Sequence, residues 1–391
     1  MRAAPRAAAR ENASATGQSV LLVDPSLFTA PYDAALSDGL QANGLRPAWA
    51  TRALRPNEED LLAGSRTLPF FYPLTDGPRR RVGSAWRALK GLEHVAGLRR
   101  LTREAARFDV VHFQWAALPM LDVRAVRRIR KSRPVVLTVH DIEPFNGRPV
   151  SAAQRSGYTA ILAAFDRLIV HTEQGRDALL ARGLPEDRIH VVPHGVLPLR
   201  TAEPEARAQP GRWRIVLFGR LQAYKGVDLL VEALGLIDPQ IRDRLEVIVA
   251  GEAQIDVEPI VARAKALGLG DAFTLREGRL SEDAMAGLLR SADAFVFPYR
   301  SIDASGVLHL VADLDRWLIA SDLGAFRTMI GTGEDSGALV PAADIAALAG
   351  AIVDSIGRRP RPASATDTLD WTQIGAMTRT VYEAALADRA A

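Results

Sequence analysis

The chain of 391 residues contains no cysteine. This absence excludes disulfides, thiolate metal sites and a cysteine nucleophile, and it fits a reducing cytoplasm. Chemistry must fall to histidine, carboxylates and cations. No run of about eighteen apolar residues occurs, so no transmembrane helix is expected. Excess charge of one sign is also missing: 49 Lys and Arg against 46 Asp and Glu leave +3, too little to argue for nucleic acid. The turn after the first apolar run, "DPSLFTAPYD" (Asp24 to Asp33), holds no glycine. Without a G-x-G-x-x-G at that turn, a nicotinamide-dinucleotide enzyme is disfavoured. No Asp-x-Asp doublet suggests a metal-held diphosphate, because "DLD" (Asp313 to Asp315) falls in a helical stretch and reads as a solvated helix end.

What is present is a globular composition, 48% hydrophobic and 24% charged, long enough for two ordinary domains. Residues 1–18 are rich in Ala and Arg and lack the apolar core of a secretory signal, so they read as a disordered tail. From there, strand-like runs alternate with amphipathic stretches. They begin at Ser19, Arg46, Asp109, Pro134, Arg167 and Ile189, and resume after a polar segment with "RIVLF", "EVIVAG", "AFTL", "AFVF" and "WLIAS". Continuous β-branched runs of this kind mark parallel strands covered on both faces. The expected fold is α/β, two Rossmann-like doubly wound domains facing each other across a cleft. The expected division is an N-terminal domain over 19–197, a linker over 198–211, a C-terminal domain over 212–365, and a terminal helix over 366–391 that crosses back to the first half.

In open parallel sheets, ligands sit beyond the carboxyl ends of the strands. One such end reads "FGRLQAYKGVDLLVEAL", Phe218 to Leu234: a strand, a turn between Gly219 and Gly226, and a helix. Arg220 and Lys225 lie in that turn. An arginine fork, a lysine point charge and a helix amino end together suit a diphosphate.

This stretch, with "VVPHGV" (Val191 to Val196), "EVIVAGEAQ" and the segment from Leu280 to Phe326, resembles GT-B glycosyltransferases, particularly family 4. The resemblance is strongest from about Phe165 to Met329. It implies the GT-B architecture and transfer of a sugar from a nucleotide-diphosphate donor, held mainly by the second domain, to an acceptor held mainly by the first. Arg220 and Lys225 would then neutralise the leaving diphosphate, with no metal and no cofactor needed. Ser305 and the Gly306 and Val307 amides would add to the phosphate cradle, and Asp303 would stand where relatives carry a sugar-side Glu. The second Glu of that pattern is replaced by Val311. The family pattern also places a donor-sugar histidine at His140, in "LTVHDIEPF". His140, Asp141 and Glu143 are the candidates to receive the acceptor's proton.

Tyr32, Asp33 and His112 are the acceptor-side candidates. Leu68 to Arg107 joins an aromatic patch to a basic stretch, with nine Arg or Lys against two Glu from Arg79 to Arg107. Trp86, Leu89, Leu92 or Glu93, and Ala96 with Leu101 can share one helical stripe. Such a surface suits an anionic membrane, so a lipid-linked oligosaccharide of bacterial exopolysaccharide assembly is the expected acceptor, and the expected location is cytoplasmic or on the inner membrane face. The "SGVL…DLGAF" variant resembles glycosyltransferases of polysaccharide clusters, mannosyltransferases among them, and that resemblance implies GDP-mannose as donor. A nucleotide-sugar epimerase of GT-B shape and a non-catalytic nucleotide-sugar-binding protein are the other readings.

Overall fold

The computed structural model describes residues 17–55, 58, 62, 64–76, 84–142, 152–207, 209–301, 306–330, 336–360 and 369–390. Its first sheet holds β1 (Ser19–Val23), β2 (Arg46–Arg52), β3 (Arg66–Phe71), β4 (Val110–Phe113), β5 (Val135–Thr138), β6 (Arg167–Val170) and β7 (Ile189–Val191). The second holds β8 (Trp213–Phe218), β9 (Leu245–Gly251), β10 (Phe273–Glu277), β11 (Ala294–Phe297), β12 (Trp317–Ser321) and β13 (Gly337–Val340). Every pairing in both sheets is parallel.

Helices α1 (Ala30–Ala42), α2 (Ser84–Glu104), α3 (Pro119–Ile129), α4 (Ala152–Leu162) and α5 (Glu173–Ala181) serve the first sheet. The second carries α6 (Val227–Leu236), α7 (Pro239–Arg242), α8 (Glu258–Ala266), α9 (Glu282–Ser291), α10 (Gly306–Val311), α11 (Gly324–Ile330) and α12 (Ile345–Asp354). The last helix, α13 (Trp371–Ala390), returns to the first sheet and packs along α1. The helices meet where Gly39 and Gly375 leave no room: a Cβ on Gly375 would fall 2.2 Å from the Gly39 carbonyl oxygen. Asn43 donates to the Thr372 carbonyl at 2.7 Å and Trp371 to the Val196 carbonyl at 2.6 Å. Ile374, Val381 and Tyr382 complete an apolar layer with Tyr32, Leu36, Leu40 and Trp49.

The strand orders place the site. The first sheet runs β3-β2-β1-β4-β5-β6-β7 and the second β10-β9-β8-β11-β12-β13. Chain direction across each sheet reverses between β1 and β4, and between β8 and β11, so the loops leaving those strands splay apart and open a crevice. The turns that begin at Asp24, Gln114, Gly219 and Pro298 lie at these two switch points.

Two strands were not foreseen. β3 carries Pro69, which is tolerated because β3 is an edge; β13 is a four-residue edge. Their discovery corrects the aromatic patch: Phe71 and Tyr72 are buried beneath α2, not offered to a membrane. The α2 stripe also turns differently. Glu93, His94, Gly97, Leu98 and Leu101 face inward, and Leu92 is exposed. Two polar contacts decide this rotation. Glu93 accepts from the Leu74 and Thr75 backbone at 2.8 and 3.0 Å, and His94 bridges Tyr72 and Asp122 at 2.8 and 2.6 Å. The linker is held to the second domain: the Glu205 amide donates to the Gly287 carbonyl at 2.9 Å and Arg207 to Asp293 at 2.6 Å.

Candidate active site

At the second switch point, β8 ends in a turn that only glycine can make. Gly219 and Gly226 have φ of +111° and +67°, and a Cβ on Gly226 would fall 2.0 Å from the Pro298 carbonyl oxygen. The two glycines press Lys225 inward. Its ammonium donates to the Phe218 carbonyl at 3.1 Å and stands 5.4 Å from the Tyr299 ring centroid. Burial, and secondarily Arg220, lowers its pKa to about 7. Arg220 stays exposed and lies over the Phe28 ring at 4.1 Å, so the glycine-free loop after β1 reaches the cation turn through an aromatic ring. Val307, at the start of α10, lines the same turn: its Cγ2 stands 3.0 Å from where a Gly219 Cβ would be.

Across the crevice, the first sheet presents a histidine cluster around Tyr32. His140 is half-buried, stacked on Trp115 at 5.0 Å and edge-on to Tyr32 at 4.9 Å. The proton positions follow from one carbonyl. Nδ1 of His171 lies 3.0 Å from the Val192 oxygen, which can only accept, so this nitrogen carries hydrogen. Burial lowers the His171 pKa to about 4, leaving its Nε2 bare, 3.2 Å from Nδ1 of His140. Burial first, then His171 and His112, keep His140 neutral as well. Its Nε2 lies 3.2 Å from the Gln114 amide oxygen, a second group that can only accept, so the single hydrogen of the neutral ring serves one side and the other nitrogen holds a lone pair. On taking a proton, that nitrogen has a ready acceptor.

Asp141 lies close enough to Arg220 and Tyr224 of the second sheet to influence both electrostatically. Ring contacts join the two sides: Arg220 lies over Phe28, Phe28 packs on Trp115 at 4.8 Å, and Trp115 stacks on His140. His194 of the first domain stacks on His309 of α10 with ring centroids 3.9 Å apart and planes 12° from parallel. Five of the seven histidines gather here or just beneath: His112, His140, His171, His194 and His309.

Two family profiles match, Glycosyltransferase Family 4 over residues 34–198 and Glycosyl transferases group 1 over 212–357. A D-inositol 3-phosphate glycosyltransferase of Catenulispora acidiphila is 30% identical over 296 residues, which span 68% of each chain. The chain belongs to the family 4 type of GT-B glycosyltransferases. A phosphatidyl-myo-inositol mannosyltransferase of Mycobacterium leprae is 29% identical over 295 residues, 71% of this chain and 73% of the relative. Among solved structures, Anabaena HepE in complex with UDP and glucose superposes with a TM-score of 0.64 at 15% identity, covering 95% of this chain and 98% of that one.

Within this glycosyltransferase the expected site residues divide. Arg220, Lys225, Gly306, Val307, His140 and Asp141 border the crevice; Glu143, Asp303 and Ser305 lie outside the described residues. Tyr32, Asp33 and His112 are placed differently from the acceptor-side expectation, because all three are buried. His112 has its nitrogens on Tyr382 and Thr138 at 2.7 and 2.8 Å, tying α13 to β5. Tyr32 is the hub of the histidine cluster. Burial, with Asp24 beside it, raises the Asp33 carboxyl well above the usual range.

Asp24, at the end of β1, escaped the sequence reading. It accepts from the backbone amides of Ser26, Phe28 and Thr29, and so shapes the loop that a glycine-rich turn would otherwise form. His194 and His309 escaped too, because nothing local announces a ring pair 115 positions apart. Val311 is explained by packing, as it is buried with Leu308 and Phe326 in the apolar cluster under the second sheet.

Proposed function

We propose that this glycosyltransferase binds a nucleoside-diphosphate sugar at the Gly219 to Gly226 turn and passes the sugar to an acceptor hydroxyl lying against the first sheet. The observation that carries the proposal is the path of rings from Arg220 over Phe28 to Trp115 and His140, which joins the cation turn to the histidine cluster across the crevice. As the anomeric carbon's bond to the phosphate oxygen breaks, the two cations neutralise the diphosphate. The acceptor oxygen forms the new bond and its proton passes to His140, Asp141 or the departing phosphate. Because the chain supplies both charges, transfer is expected to persist in EDTA.

GDP-mannose is the donor to try first, in keeping with the mannosyltransferase among the relatives. Two relatives are named for phosphorylated inositols, which favours an acceptor that carries phosphate; a lipid-linked glycan of exopolysaccharide assembly is the acceptor proposed here. The exposed face of α2, with Arg87, Arg99, Arg100, Arg103 and Leu92, suits approach to an anionic lipid surface. No helix among the described residues is long and apolar enough to cross a membrane.

The deciding experiment incubates the protein with GDP-mannose, UDP-glucose and related donors, each with inositol 3-phosphate, phosphatidylinositol vesicles or a polyprenyl-diphosphate glycan. Transfer to the polyprenyl-linked glycan alone supports the reading in full. Transfer to an inositol phosphate alone replaces the acceptor, and no donor binding in a thermal-shift screen removes the donor site.

A further inference from the structure

A second polar cleft, of about 340 Å³, opens at the opposite end of the second sheet, where β11 and β12 begin. At ~3.3 Å per residue, the six residues of β8 put that end roughly 17 Å from the Arg220 turn. Four arginines line it: Arg207 from the linker, Arg290 from the last turn of α9, Arg316 just before β12, and Arg359 after α12.

Two carboxylates face the same space, and both are already engaged. Arg276 grips Glu205 with two bonds of 2.8 and 3.0 Å, and Arg214 stands 3.6 Å from it. Oδ2 of Asp293 accepts from Arg207 at 2.6 Å and from the Arg214 amide at 2.9 Å. Burial opposes ionisation of Asp293, but these donors and Arg359 outweigh it and hold the carboxyl below the usual range. Asp293 therefore fixes Arg207 and forms a satisfied floor.

The other three guanidiniums are poorly matched. Arg290 sends Nε and Nη2 to one carbonyl, that of Arg200, at 3.3 and 3.2 Å. Arg316 reaches the carbonyls of Asp315 and Arg290 at 3.4 and 3.3 Å, and its buried Nε has no acceptor among the described residues. Arg359 lies 3.6 Å from Oδ1 of Asp293 and rests over the Trp213 ring. Burial and the Arg359 charge both lower the Arg316 pKa, so the two guanidiniums repel. An anion with several oxygens would screen the like charges and take paired bonds from the planar forks that line the cleft.

We propose that this cleft is a binding site for a small phosphorylated molecule, held by Arg290, Arg316 and Arg359. Three under-satisfied cations call for a dianion, as a phosphate monoester or diphosphate is near neutral pH. The volume is at the small end of ligand pockets, which start at about 300 Å³, so it admits a sugar phosphate and not a glycan chain. The site does not depend on the transfer reaction proposed above.

Calorimetric titration of the full chain with inorganic pyrophosphate tests it. Pyrophosphate also suits the donor turn, so wild type is compared with Arg220→Ala and with the paired variant Arg316→Gln/Arg359→Gln. The expected result is a binding event that Arg220→Ala retains and the paired variant weakens by about tenfold or more. Arg359 is mostly exposed, so Arg359→Glu serves as a second variant that leaves the fold intact and should weaken the same event. Identical isotherms for wild type and both arginine variants, or loss of all binding in Arg220→Ala, overturn the proposal. Binding of phosphatidic acid vesicles without binding of pyrophosphate overturns it in favour of a membrane headgroup.

Discussion

Lys225 shows how a turn can set the chemistry of one side chain. With its pKa lowered from 10.5 to about 7 by burial and Arg220, the amine is partly neutral at pH 8 in the free enzyme. A diphosphate beside it favours the ammonium, so donor binding should take up a proton. Calorimetry of GDP or UDP binding at pH 8, in buffers of different ionisation enthalpy, is expected to show net uptake; Lys225→Arg should abolish it, because guanidinium is already charged. Equal heats across buffers would place the lysine away from the phosphate. Arg220→Ala and Lys225→Ala should each lower turnover by roughly ten- to a thousandfold, as expected for losing about 1.4 to 4 kcal/mol of charge stabilisation in the transition state. At least one of His140→Ala and Asp141→Asn should abolish transfer with donor affinity kept within a few-fold, read by single-turnover assay and donor titration. The position of Arg220 and Lys225 at a strand end was legible in the sequence because strand, turn and cation lie within a few positions of each other. Asp24 was not, since a buried carboxylate that shapes a loop has the same letters as a solvated one.

At the scale of elements, the strands legible in the sequence were those covered on both faces, such as β9, whose seven residues are all buried. The two edges were missed for opposite reasons: β3 contains a proline that discourages a strand reading, and β13 is too short to show a pattern. The rotation of α2 was missed because Glu93 and His94 are polar and yet buried, each held by partners from other elements. Close helix approach gives a sharper test. Gly375→Ala would set a methyl 2.2 Å from the Gly39 carbonyl oxygen, so α13 must shift away from α1. Overpacking of this kind typically costs about 1 to 3 kcal/mol, which a urea denaturation midpoint will show. Gly350→Ala, with open space around its Cβ position on α12, should by contrast be neutral or slightly stabilising. On α2, Arg99→Glu with Arg103→Glu should release the protein from phosphatidylglycerol vesicles at low salt, each charge near the surface being worth on the order of 1 kcal/mol. Failure of the wild type to sediment with such vesicles removes the membrane approach.

At the scale of the whole molecule, the histidine cluster joins two domains and makes the fold sensitive to acid. His112 and His309 are lowered to about 3 and His171 to about 4, each mainly by burial, and His140 and His194 are also held below 6.5. The folded state thus binds fewer protons than the unfolded chain once pH drops below about 6.5. Stability should be full near pH 7.5 and fall steadily toward pH 4, each imidazole adding up to about 1.4 kcal/mol per pH unit. Denaturant midpoints across that range will check the slope, and His309→Phe, which keeps a ring against His194, should flatten it. The return of α13 has a separate consequence for biosynthesis. On the ribosome the first sheet and its early helices emerge long before residues 371–390, yet the apolar layer of Leu36, Leu40 and Trp49 is completed by Ile374, Val381 and Tyr382. The first domain must therefore wait with one apolar flank open while the second domain is translated, and a released chain truncated after residue 360 should be cleaved by protease in its first half and spared in its second.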